Sequence, residues 1–439
     1  MKHTIIIGAG PAGIGAALAM NGDCTVLERA ASAGGLSCSV TIDGAVFDYG
    51  GHSFHSPHPE VRDIVFDALE MHEQRRNAQC FFRNEFIPYP FQKNYHLLKD
   101  KKVVEECREG LKRANSTTGA SNFDEFLRCR FGAGISKHFM LPYNRKLWGR
   151  DLTKLTSDWT AERVAAPEGE EDKFEIAGGN RKPLQSDTYV AYPARGGFGK
   201  IFTALANRIA DIRFGKTVTH IDPNKKRLTT SNGEIFKWER LVSTLPLPLL
   251  LNLIEGAPEI CKTRASKLEA LSLKLGLVVI GHPVNTEVQR IYYSGETIPS
   301  HKIAINHNSS PYLRNLPHHA LVMEISDGPK KTFLNQDLCQ SILRSLKTLG
   351  LIRKESEVLH LEIRDVRYAY PIPTVSRDQI VREIKTWLES VGIYSEGRFG
   401  EWAYINSDEA LFRGLKRGQF LAKPRHVPDT AFPLQPRAA

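Results

Sequence analysis

The sequence predicts an α/β fold: a parallel sheet wound by helices, interrupted by a helical insert and by a second, antiparallel sheet. Three patterns predict it. A short apolar run, Thr4–Ile7, passes directly into a glycine-rich turn and then into a helical apolar pattern from Ile14. Residues 103–114 and 123–140 repeat apolar positions at a period near 3.6. Residues 265–370 alternate instead, as in LGLVVIGHPV and HALVMEIS, which is the period of strands.

Composition bounds the function. The 439 residues suffice for two or three domains with a sizeable core. A hydrophobic share of 41% and a charged share of 25% are ordinary for a soluble globular protein. No apolar run approaches the length that spans a bilayer. MKHTIIIGAG runs straight into a strand, without the apolar stretch and cleavage site of a secretory signal, so a cytoplasmic location is expected. Seven cysteines, never in CxxC, argue against a disulfide framework and against a thiolate zinc site. The net charge of +10 suits an anionic ligand. The basic residues are dispersed and match no nucleic-acid-binding signature, so a nucleotide or phosphorylated molecule is expected rather than a nucleic acid.

The first element is the most informative. In GAGPAGIG, Gly8, Gly10 and Gly13 fit GxGxxG, with a strand before and a helix after. The first glycine permits the tight turn, the second lets backbone approach a pyrophosphate, and the third lets helix pack on strand. The following helix N-terminus offers free N–H groups to phosphates. A second strand, CTVLE, ends in Glu28, placed to bond ribose hydroxyls. A Rossmann-like dinucleotide-binding domain follows from that context.

The next elements carry a resemblance. GGLSCS (34–39) after the ribose-binding acid, then DYGGH (48–52), resemble FAD enzymes of the amine-oxidase type. There the second glycine pair lines the pyrophosphate and flavin, which implies Gly35, Leu36, Gly50 and Gly51 as cofactor-binding residues. Val218, in KTVTHIDP, resembles the strand that meets adenine, and LVSTLP (241–246) resembles the strand returning to the cofactor domain. The FAD domain is therefore discontinuous: 1–90, 190–255 and 376–422. Residues 91–165 form the helical insert and 256–375 the antiparallel substrate domain. Residues 166–189, charged and aperiodic, read as a mobile lid, and the Pro-rich 423–439 as a flexible tail.

YPFQKN (89–94), FMLPYNRKLWGRDLTKLTSDWTAERVAAP (139–167), YPARGGFGKIF (192–202), YAYPIPTVSRD (368–378), GRFGEWAY (397–404) and NSDEALF (406–412) narrow the family. In this order they resemble the UDP-galactopyranose mutases of the eukaryotic-like branch, to about residue 418. The resemblance implies that Tyr89, Gln92 and Phe139 hold the uracil, while Asn144 and Trp148 reach the ribose and phosphate side. It implies Arg163 on the pyrophosphate, Tyr292, Tyr370 and Tyr404 on the phosphates, Arg398 beside the flavin, and Asn406 and Ser407 on the flavin side of the last helix. His52 matches the histidine lying against the flavin ring. Three positions depart from the family. Lys302 stands where a second pyrophosphate arginine is expected, Ser309 where a tyrosine is, and His55 where an aromatic covers the sugar. Lysine keeps the charge but loses the planar two-pronged grip.

The activity so implied is interconversion of UDP-galactopyranose and UDP-galactofuranose, with no net redox change. It needs reduced FAD, whose N5 attacks the anomeric carbon, and NADPH or NADH as electron donor. Arg163, Lys302 and Arg398 would support the chemistry electrostatically, with His52 at the ring. Two alternatives stand beside it: a mutase for a pentose, N-acetylhexosamine or deoxy-sugar nucleotide, and a flavin amine oxidase or desaturase. GGHSFHSPHPE (50–60) spaces His52, His55 and His58 evenly. No carboxylate or thiolate is placed by sequence to complete a metal site, so none is expected. His58, preceding Pro59, reads as a solvated turn residue.

Overall fold

The computed structural model describes residues 3–114, 120–160, 189–328 and 334–422. Arg163, nearly all of the expected lid at 166–189 and the expected tail at 423–439 lie outside the described residues.

A five-stranded parallel sheet forms the centre of the cofactor half. Its order is Ile393–Ser395, Arg240–Ser243, Thr4–Ile7, Cys24–Leu27, Ile212–Arg213. Thr4–Ile7 is buried at every position because helices and core cover both faces of a parallel sheet. The helix Pro11–Met20 is almost wholly small and apolar, and it packs backbone to backbone on Ser407–Ala422. A Cβ on Gly414 would stand 2.0 Å from the Ala12 carbonyl and one on Gly418 2.3 Å from that of Ala16. Only glycine permits this approach.

A seven-stranded sheet forms the second half, in the order Val358–Pro371, Ala270–Ile280, His319–Asp327, Lys302–Ala304, Arg290–Tyr293, Ala78–Phe82, Glu85–Pro88. It is antiparallel except where Arg290–Tyr293 runs parallel to Ala78–Phe82. The last two strands fall within 1–90, assigned by sequence to the cofactor domain. They join this sheet instead because Ala78–Phe82 finds its pairing partner in Arg290–Tyr293 and buries Cys80 and Phe81 there.

Helices Lys101–Lys112, Phe123–Ile135 and Leu141–Trp148 pack beneath that sheet. Sequence periodicity reads 123–140 as one helix. The structure breaks it: Gly132 takes φ 66°, and Ser136–Met140 forms a π-turn before the next helix. The wider turn inserts an extra residue, of a kind that recurs at functional sites.

Candidate active site

The first glycine turn is shaped by crowding on one side and space on the other. A Cβ on Gly13 would stand 1.9 Å from the Gly8 carbonyl, and one on Gly8 would stand 2.2 Å from Thr244 Oγ1. Gly10 differs: nothing among the described residues lies within 4 Å of a Cβ there. It faces open space at the start of Pro11–Met20, a helix with no side-chain cap, whose N–H groups and positive dipole end are offered outward. Glu28 is buried, accepting from Ala9 N–H at 2.7 Å and Ala30 N–H at 2.8 Å. Each carboxylate oxygen keeps a lone pair for a ribose hydroxyl. Gly34 N–H donates to the Ala9 carbonyl at 2.8 Å, and a Cβ on Gly35 would stand 3.4 Å from Gly10 Cα, so the two glycine turns touch. Leu36 and Val218 pack in the same core cluster as Ile7 and Leu27. Asn406 is exposed and Ser407 half-buried where the helix Ser407–Ala422 begins. An open cradle with helix-end donors and a fixed acid fits the pyrophosphate and ribose of FAD.

The Gly50–Gly51–His52 turn is held from all sides. Asp48, fully buried, accepts from Ser39 Oγ at 2.6 Å, Tyr192 Oη at 2.8 Å, Phe198 N–H at 2.9 Å and Asn306 Nδ2 at 2.9 Å. Burial raises its pKa to about 6 against those donors, which lower it. Asn306 Nδ2 also donates to the Gly50 carbonyl at 3.1 Å. Glu324 Oε1 accepts from Gly51 N–H at 2.8 Å, and Arg290 donates to the His52 carbonyl. His52 stacks on Phe198 with ring centroids 4.9 Å apart. Burial pushes its pKa down to about 3; Glu324 opposes this, while Lys302, Arg290 and Arg398 add to it. The imidazole is therefore neutral at physiological pH, and its Nδ1 has no partner among the described residues.

Beside this turn the phenols and cations converge. Lys302 Nζ lies 2.8 Å from Glu324 Oε1, and Tyr370 Oη donates to Glu324 Oε2 at 3.1 Å. Burial by itself lowers the Lys302 pKa, but Glu324, Tyr370 and Tyr292 together outweigh it and hold the ammonium above its ordinary value. The Arg398 guanidinium stands over the rings of Tyr370 and Tyr404, 5.0 Å and 5.2 Å from their centroids. Tyr292 is paired in register with Lys302 and stacks on Tyr89, 4.3 Å between centroids.

The base-side residues are more buried than their expected roles suggest. Phe139 is 3% exposed and stacks on Phe91 at 4.6 Å and on Tyr143 at 5.4 Å, leaving little open face. Gln92 and Asn144 are buried, and Asn144 Nδ2 donates to the Met140 carbonyl at 2.8 Å. Trp148 is fully buried with its edge to Trp159 and Tyr404; its Nε1 finds no partner among the described residues. Ser309 is buried with its carbonyl taking Gln74 Nε2 at 2.5 Å, and no described contact joins it to the tyrosines.

The three histidines separate. His55 is partly buried; burial lowers its pKa, a hydrogen bond to the Tyr189 backbone opposes this, and Arg76 and Arg62 add to it. His58 is not the solvated turn residue expected. It is 8% exposed, pairs with Glu409 at 2.7 Å and stacks on Phe412 at 3.6 Å, because Ser407–Ala422 folds back over it. Among the described residues no cluster of three metal-ligating side chains occurs, and no helix is long and apolar enough to cross a membrane.

Sequence reasoning missed Asp48, Arg290, Asn306 and Glu324. The signal for Glu324 was a lone carboxylate in an otherwise apolar strand, HALVMEIS. Asp48 stood in DYGGH, directly before the glycine pair.

Residues 12–282 match the family model of flavin containing amine oxidoreductases. Among solved structures the chain is similar to a reduced UDP-galactopyranose mutase, with TM-score 0.88, 26% identity, and 96% of this chain and 94% of that one covered. It is similar in fold to putrescine oxidase (TM-score 0.68, 16% identity, 96% and 98% covered) and to a CLA-producing fatty acid isomerase from P. acnes (0.64, 16%, 94% and 97%). The family match spans more than half of the chain, and the open glycine cradle agrees with it: the chain belongs to the flavin-containing amine oxidoreductases, and among them it resembles the UDP-galactopyranose mutases.

Proposed function

We propose that the chain is a flavin-dependent mutase interconverting the pyranose and furanose forms of a nucleotide sugar, with UDP-galactopyranose and UDP-galactofuranose as the pair. The observation that carries this is the convergence of Lys302, Arg398 and the phenols of Tyr292, Tyr370 and Tyr404 beside His52. Cations and phenolic donors suit a diphosphate. The same charges oppose a cationic amine, which weighs against the amine-oxidase reading.

Reduced FAD, when bound, supplies a nucleophilic N5 for the anomeric carbon. The protein's task is to hold the departing diphosphate. Lys302, Arg398 and the tyrosines would stabilise the charge that grows there. His52, neutral, would lie against the ring without titrating, and Trp148 Nε1–H would donate a hydrogen bond to the nucleotide. Arg163 is proposed as a further pyrophosphate cation. NADPH or NADH is the proposed donor. His55 and Lys302 favour one second reading, a mutase for a different sugar nucleotide, because each would replace a larger or more rigid group that the resemblance puts at the sugar or diphosphate; Ser309, buried apart from the tyrosines, lends it nothing.

The experiment is product analysis after incubating dithionite-reduced protein with UDP-galactofuranose. Conversion to UDP-galactopyranose by reduced protein, and none by oxidised protein, is expected. Conversion of another sugar nucleotide in its place selects the second reading. Oxygen consumption with an amine would overturn both.

A further inference from the structure

Arg290 is an unusual tenant of the wall behind the Gly50–Gly51–His52 turn. It opens the strand Arg290–Tyr293 and is 5% exposed. Nη1 donates to the Gln289 carbonyl at 2.6 Å, and Nη2 to the His52 carbonyl. Its Nε edge fills the space a side chain at residue 51 would need: a Cβ on Gly51 would stand 2.5 Å from Nε and 2.9 Å from Cδ. Among the described residues no carboxylate forms an ion pair with it. The carboxylate among the strongest influences on it is Asp48, whose oxygens accept from the neutral donors of Ser39, Tyr192, Phe198 and Asn306. Arg76, a like charge, opposes it further.

Burying a guanidinium on backbone carbonyls alone is costly. Asp48 attracts this charge from within the fold but forms no ion pair with it, so the buried cation keeps attraction to spare for an anion beside the turn. Glu324 has its own cation, Lys302, on Oε1, with Gly51 N–H on the same oxygen and Tyr370 on Oε2. The geometry also gives Arg290 a second task. The turn presents three backbone groups, and each has its own clamp: Asn306 on the Gly50 carbonyl, Glu324 on Gly51 N–H, Arg290 on the His52 carbonyl.

We propose that Arg290 is a positioning residue for the flavin, fixing the His52 end of the turn while its buried charge favours the reduced, anionic ring over the neutral oxidised one. The proposal rests on the reading above that His52 lies against that ring. Two electrons and one proton, delivered by dithionite and solvent, convert the neutral oxidised ring to a monoanion. A fixed cation nearby stabilises the product and not the reactant, so it raises the midpoint potential.

The test compares the purified flavin-loaded wild type with R290K, R290Q and R290M. Each is titrated with dithionite against a reference dye at mildly alkaline pH, with flavin content read from the visible-to-ultraviolet absorbance ratio. R290Q and R290M should hold flavin but show a midpoint shifted to more negative potential. R290K, which keeps the charge and loses the fork, should lie near the wild type. Should R290M fail to fold, R290K against R290Q still decides, because both keep a polar side chain of similar length. Equal midpoints for R290K and R290Q would overturn the proposal. A wild type that takes up no flavin would overturn both this proposal and the functional reading. A shifted midpoint in a protein that isomerises no sugar nucleotide would support Arg290's role while removing the mutase.

Discussion

Lys302 and Glu324 face each other across adjacent antiparallel strands, and their side chains meet at 2.8 Å with the carboxylate 1% exposed. A cation proposed for the diphosphate is thus already paired within the protein. Lys302→Met alone strands a buried carboxylate and should destabilise the fold by about 3–5 kcal/mol in a denaturant titration. The double variant Lys302→Met/Glu324→Gln should recover most of that stability. It should not recover UDP affinity measured by calorimetry. Recovery of both would mean that Lys302 serves structure only.

The two inner glycines of the first turn should fail differently. Gly13→Ala puts a methyl group against the Gly8 carbonyl and should yield misfolded or insoluble protein. Gly10→Ala meets nothing among the described residues, at a φ of −74° that alanine adopts freely. It should fold with normal circular dichroism and lose flavin, because the methyl group occupies the space left for a pyrophosphate. Full flavin retention by Gly10→Ala would count against the cradle.

Asp48 gives a pH signature. Its folded pKa is raised to about 6, so the folded state holds a proton that the unfolded state, near 4, has released. Stability from this group is fully present below the unfolded value and declines as pH rises to the folded value. Asp48→Asn removes the titration. The wild-type minus variant unfolding free energy should therefore fall by about 3 kcal/mol between pH 4 and 6 and stay flat above. A difference that rises across that window would contradict the buried-carboxylate account.

Trp148→Phe separates packing from hydrogen bonding. The indole N–H has no partner among the described residues, and removing it offsets part of the lost packing. Ligand-free stability should change by no more than about 1 kcal/mol, while the dissociation constant for UDP should rise roughly tenfold. An unchanged constant would assign Trp148 to the core.

What the sequence revealed and what it hid divide along a physical line. The glycine turn, Glu28 and the strand Arg240–Ser243 were legible because local residues dictate their geometry: turn, acid, apolar run. The wall behind His52 was not. Asp48, Arg290, Asn306 and Glu324 come from four segments up to 276 residues apart, joined only by sheet register and side-chain reach. A lone polar residue in an apolar strand signals something, but its partner is named only by the fold. His58 was misjudged for the same reason, since the helix that buries it begins at Ser407.

The close seating of Pro11–Met20 against Ser407–Ala422 has a consequence for biogenesis. The two helices are roughly 390 residues apart in sequence, so their contact must wait until all the chain between them has been made. Until then the first helix, apolar on nearly every side, lacks its cover and is exposed to aggregation. A nascent chain halted before Ser407 should therefore bind chaperones and not flavin, and cofactor capture becomes an event that follows synthesis rather than accompanies it.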